Sequence, residues 1–103
     1  MRSAEVFVND NRAGILEEIS KGNAYRFIYD KDYFDSPVSL MMPIMDDPYT
    51  YDRFPPFFEG LLPEGYNLEA LLRTDKIDRD DLFSQLIAVG MDMVGAVTVR
   101  ELK

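Results

Sequence analysis

Phe54-Pro55-Pro56-Phe57-Phe58-Glu59-Gly60-Leu61-Leu62-Pro63-Glu64-Gly65-Tyr66 is the stretch around which the rest of the chain is organised. Phe54, Phe57, Phe58, Leu61 and Leu62 recur at the spacing that forms one face of a short helix. Pro55 and Pro56 suit its first turn, where a missing N–H costs nothing. Pro63 and Gly65 are expected to stop it. Tyr66 follows that stop, where the chain must turn. A helix this apolar has to be covered by other elements, so the flanking sequence is expected to supply a sheet and further helices.

Upstream, residues 4–8 (Ala-Glu-Val-Phe-Val) are rich in strand formers. Residues 9–12 read as a turn with Asp10 and Asn11 suited to positive φ, and residues 14–18 as the return strand. Lys21-Gly22-Asn23 is a second turn. Tyr25, Phe27 and Tyr29 then alternate with Arg26 and Ile28, the period of a strand, with the aromatics expected in the core. Residues 30–37 form a polar connection, residues 38–42 a candidate short strand, and Tyr49 and Tyr51 lie in the loop before the central helix.

Downstream, Leu68, Leu71 and Leu72 give residues 67–73 a helical stripe, with Asn67 as a candidate N-cap. A third helix is predicted over residues 79–89, capped by Asp78 with Asp81 at its third position. Leu82, Phe83, Leu86 and Ile87 are its apolar face and Gly90 its stop. Residues 94–99 are the closing strand, with Val97 and Val99 on one face, and it is expected to join the N-terminal sheet. The chain therefore reads as one α+β domain over residues 1–103: a small antiparallel sheet, made of an N-terminal meander and a C-terminal strand, packed with three to four short helices.

Composition narrows the function. The 103 residues include no cysteine and no histidine, so disulfides, thiolate metal sites and the commonest general base are excluded. A net charge of −8 argues against direct nucleic-acid binding and suits a basic protein partner. No signal-like apolar run follows Met1 and no stretch nears the roughly 20 apolar residues of a membrane span, which predicts a cytoplasmic protein with no membrane partner.

The candidate chemical sites are weak. Asp75, Asp78, Asp80 and Asp81 cluster, but Lys76 and Arg79 are interleaved and a calcium loop's central glycine is missing, so helix capping explains them better than metal. Asp46, Asp47 and Asp52 flank the tyrosine-rich loop and read as solvated or as an acidic docking surface. Glycines stand singly at turns, with no phosphate-cradling loop and no nucleophile elbow. The expectation is a binding protein, not an enzyme, and no cofactor.

Phe57-Phe58-Glu59-Gly60-Leu61-Leu62-Pro63-Glu64-Gly65-Tyr66, followed by Val94-Gly95-Ala96-Val97-Thr98, resembles the N-terminal subdomain of HipA-type serine/threonine kinases. Val6-Phe7-Val8-Asn9 with Ala13-Gly14, the run from Pro37 to Pro43, and Asp81-Leu82-Phe83 with residues 86–90 fit the same pattern in order. With no kinase core following by Lys103, the resemblance is to the small HipS antitoxin of three-gene HipBST systems. It implies two partners: a HipT-like serine/threonine kinase toxin, bound and neutralised, and a HipB-like DNA-binding protein in the same complex. The alternative it leaves open is a non-inhibitory structural subdomain of a split or truncated kinase.

On that resemblance the partner-binding residues are Pro63, Glu64, Gly65, Tyr66 and Asn67. Tyrosine is a favoured interface anchor, with large area and few rotors. The sequence leaves two fates for Tyr66: packing on the next helix, or reaching into the kinase's nucleotide or substrate cleft.

Overall fold

The computed structural model describes residues 1–92 and 95–102. Among the described residues, five strands and three helices follow one another in the order β1 (Arg2–Val8), β2 (Asn11–Ser20), β3 (Ala24–Tyr29), β4 (Tyr49–Tyr51), α1 (Pro56–Glu59), α2 (Gly65–Asp75), α3 (Leu82–Val89) and β5 (Val97–Leu102). The strands form one antiparallel sheet in the order β4-β3-β2-β1-β5, so the C-terminal strand does join the N-terminal meander.

The pleat sorts this sheet into two faces. On the inner face Ala4, Val6, Leu16, Phe27 and Val99 are fully shielded from solvent, and Phe58, Phe83 and Leu86 from the helices pack into the same core. Tyr25, Phe27 and Tyr29 are all buried, as their alternation required. On the outer face oppositely charged residues stand opposite each other in the ladder: Glu5 beside Arg100 and Glu17 beside Arg26, with ion-pair distances of 3.0 and 2.7 Å. Such cross-strand pairs suit a solvated face.

Several local features differ from the sequence reading. The first hairpin turns on Asn9 (φ 50°) and Asp10 (φ 69°), one residue earlier than expected, because a two-residue loop of this hand needs positive φ at both central positions. Residues 38–42 are not a strand. Their backbone is held instead by a side chain: the Tyr29 hydroxyl accepts from Val38 N–H and donates to the Met42 carbonyl. The fourth strand is Tyr49–Tyr51, where Tyr49 and Tyr51 pair with Phe27 and Tyr25.

The central helix is shorter than its apolar spacing suggests. After Glu59 the bonds tighten, Leu61 N–H donating to Phe58 and Leu62 N–H to Glu59, and Pro63 then has no N–H to offer. Phe54 and Phe58 are buried, and Phe57, Leu61 and Leu62 are half-buried against the core.

The third helix begins at Leu82, with Asp81 itself as the cap, its carboxylate accepting from Ser84 N–H at 3.1 Å. Residues 78–81 form a turn before it, closed by the buried Gln85 amide, which donates to the carbonyls of Asp78 and Arg79. Gly90 does end this helix, through tight packing rather than positive φ: a Cβ there would sit 2.0 Å from the Val99 carbonyl oxygen. The closing strand starts at Val97; Val94, placed at its head by sequence, lies outside the described residues, as does Lys103.

Candidate functional site

The turn between α1 and α2 is built by three residues with different constraints. Pro63 is half-buried, four residues after the end of the central helix. Glu64 is extended (φ −131°, ψ 163°) and makes no side-chain cap bond. Gly65 does not stop a helix but opens α2, at φ +58°, a left-handed conformation in which a side chain is disfavoured. Asn67 lies inside that helix and is not its cap, because the chain enters the helix three residues earlier at Glu64.

Tyr66 is consequently the second residue of α2, and its side chain is 95% exposed. It does not pack on the helix that follows it. Glu64, Gly65, Tyr66 and Asn67 are all exposed, so four of the five expected residues share one accessible turn. Gly65, Tyr66, Leu68, Glu69 and Arg79 line a shallow concavity beside it, and Arg79 meets Glu69 at 2.7 Å on its rim. α2 itself contains no buried residue, and Leu68, Leu71 and Leu72 are its half-buried stripe. An exposed aromatic on a lightly anchored helix is a large apolar group left in water, with area available to a partner.

A second apolar surface was not legible in the sequence. Leu40 is 93% and Met41 85% exposed, and Met41, Met42, Tyr51, Pro56 and Phe57 line a groove of about 480 Å³. Reading residues 38–42 as a strand hid it. A signal was present: Leu40, Met41 and Met42 are consecutive apolar residues bounded by Pro37 and Pro43, and no pleated strand turns all three inward.

A part-buried cluster of titratable groups is a brace between sheet and helix. Arg2 Nη2 lies 2.6 Å from Glu18 and 2.9 Å from Asp81, and Arg2 also donates to the Ser84 hydroxyl. Burial alone raises the Asp81 carboxyl, but hydrogen bonds from Arg2 and Ser84 outweigh it and hold the pKa below the usual carboxylate range. Tyr25 donates to Glu18 at 2.9 Å; burial, and then that bond, push its phenol up to about 12. Every member is paired with another, which is structural rather than catalytic chemistry. Among the described residues no acidic group is arranged to hold a metal ion, and no helix is long and apolar enough to cross a membrane.

Comparison with known proteins agrees with this architecture. The family model described as HipA N-terminal domain matches residues 4–100. A solved structure of the N-terminal domain of HipA toxin superposes with a TM-score of 0.77 at 30% identity, covering 100% of this chain and 94% of that one. An uncharacterized protein of Haemophilus influenzae is 36% identical over 103 residues, which are 100% of this chain and 95% of that relative.

Proposed function

The chain belongs to the family of HipA N-terminal domains, and we propose that it works as a HipS-like antitoxin, binding a HipA-like serine/threonine kinase of the HipT kind and neutralising it. The matched domain is the small N-terminal one and not the catalytic part of a kinase. The H. influenzae relative is of nearly the same length, which supports a domain that functions apart from a covalently attached kinase core.

The observation that carries the reading is the 95% exposure of Tyr66 at the head of α2, directly after a glycine at positive φ. A rigid aromatic presented this way has the character of an interface anchor, and one such anchor typically contributes about 2 kcal/mol or more to binding. Residues 63–67 enter the nucleotide or substrate cleft of the kinase and obstruct it. The acidic surface, at net charge −8, leaves operator contacts to a HipB-like DNA-binding protein in the same cytoplasmic complex.

Co-expression tests this directly. Growth arrest caused by the kinase should be relieved by the wild-type chain and not by Tyr66→Ala, with circular dichroism showing both folded. A kinase equally toxic with and without the wild-type chain defeats the proposal. A kinase that gains activity or solubility from it supports the alternative of a structural subdomain.

A further inference from the structure

We infer that the groove between the 39–45 loop and α1 is a second docking surface, and that its occupant is an apolar segment of the kinase flanked by Lys or Arg. The inference rests on the kinase-binding reading above and adds a contact separate from Tyr66.

The loop is fixed, with Met42 buried, while the side chains of Leu40 and Met41 stay outside. Tyr29 holds the backbone at Val38 and Met42, the Tyr49 hydroxyl donates to the Pro43 carbonyl, and Met42 N–H donates to Ser39. Hydrogen bonds of this kind order a backbone before any partner arrives, and a pre-organised surface binds at lower entropic cost. Yet Leu40 and Met41 are 93% and 85% exposed, which no folding requirement explains. The groove beside them is lined by Ser39, Met41, Met42, Tyr51, Pro56 and Phe57. Methionine suits an interface that must adapt to the shape of its ligand.

Charge identifies the occupant. Between Asp30 and Glu64 the chain carries eight carboxylates and two cations, Lys31 and Arg53. Thus most of the net charge of −8 falls in the segment that supplies the groove. Asp46, Asp47 and Asp52 are exposed on either side of β4. Two copies of this surface repel each other, whereas an apolar segment with basic flanks gains steering and complementarity.

Calorimetric titration of the purified chain into a HipA-like kinase from the same genome tests the assignment, with Leu40→Ser/Met41→Ser, Asp46→Asn/Asp47→Asn/Asp52→Asn and Tyr66→Ala as variants. All substituted side chains are exposed, so thermal melting should show folded proteins. The Leu40/Met41 variant is expected to bind at least ~10-fold more weakly, as for the loss of an interface anchor. Wild-type affinity should fall between about 0.05 and 0.5 M salt, as the Debye length shrinks, and the triple Asn variant should respond less. Wild-type affinity in the Leu40/Met41 variant, with Tyr66→Ala impaired, overturns this inference and leaves the antitoxin reading standing. No binding by the wild type overturns both. Sedimentation of the chain alone as a dimer that the Leu40/Met41 variant dissolves makes the occupant a second copy and overturns the assignment to the kinase.

Discussion

Arg2 and Asp81, 79 residues apart, meet at 2.9 Å, so that the first strand holds the cap of the last helix. The same guanidinium also reaches Glu18 on β2 and lies 4.9 Å over the ring of Phe83. Glu18 is only 4% exposed, and its carboxylate is balanced by this one cation, with hydrogen bonds from the Tyr25 hydroxyl and the Gly22 N–H. Removing one partner of a buried pair is costly because the other is left uncompensated. Arg2→Met is expected to cost about 3 kcal/mol and to lower the melting temperature by roughly 10–20 °C. Adding Glu18→Gln should recover part of the loss. A single variant that melts with the wild type would show that the pair contributes nothing.

The same cluster sets the acid limit. Asp81 has a folded pKa below its unfolded value, so the folded state resists protonation that the unfolded chain accepts. Its stabilisation is complete above the unfolded pKa of about 3.9 and is lost as pH falls through the lower, folded value. Denaturant midpoints measured from pH 7 downwards should decline below about 4. In Asp81→Asn, whose amide oxygen can still cap the helix but which no longer carries the charge that pairs with Arg2, that decline should be shallower.

The alkaline limit has the opposite sign. Tyr25 holds its proton up to about 12, and burial also raises Tyr29, Tyr33 and Tyr51. A raised folded pKa gives stability that is full below the unfolded value of about 10 and fades as pH rises towards the folded one. Ultraviolet titration should show several phenols ionising only together with unfolding. Tyr25→Phe should remove one of them and soften the alkaline loss, and an unchanged titration would contradict the assignment.

Where the sequence pattern depended on periodicity, it translated into structure: Tyr25, Phe27 and Tyr29 are buried on one face, and Phe83 and Leu86 on another. It was weaker where a side chain from elsewhere decides the backbone. Nothing within residues 38–42 reveals that the Tyr29 hydroxyl replaces a strand partner, nor does the sequence around Asp81 reveal Arg2. The site was half legible. The turn at residues 63–67 follows from Pro63 and Gly65, but the exposure of Tyr66 depends on α2 beginning at Gly65, which a glycine at φ +58° permits and which read equally well as a stop.

Gly90 offers a test of packing between α3 and β5. Its N–H donates to Ile87 and its carbonyl accepts from Val99 N–H at 2.9 Å. A Cβ at 2.0 Å from the Val99 oxygen and 3.1 Å from the Leu86 oxygen has no room, and both atoms are backbone. Gly90→Ala is expected to destabilise by about 2–3 kcal/mol, as overpacking does. Retained stability in urea unfolding would mean that the strand can shift away.

Gly65 and Tyr66 separate the roles of the turn. A Cβ on Gly65 meets nothing within 4 Å, so Gly65→Ala is penalised only by its φ of +58°, about 1 kcal/mol. The domain should remain folded, but relief of that strain would redirect the start of α2 and with it the approach of Tyr66. Kinase neutralisation should therefore weaken in Gly65→Ala by more than its stability loss explains. Tyr66→Phe keeps the ring area and should retain most of the activity, whereas Tyr66→Ala should lose it with its stability within about 0.5 kcal/mol of wild type. If Tyr66→Phe instead matches Tyr66→Ala in titrations of kinase autophosphorylation, the hydroxyl makes the decisive contact. If all three variants neutralise the kinase like the wild type, residues 63–67 are not the inhibitory element.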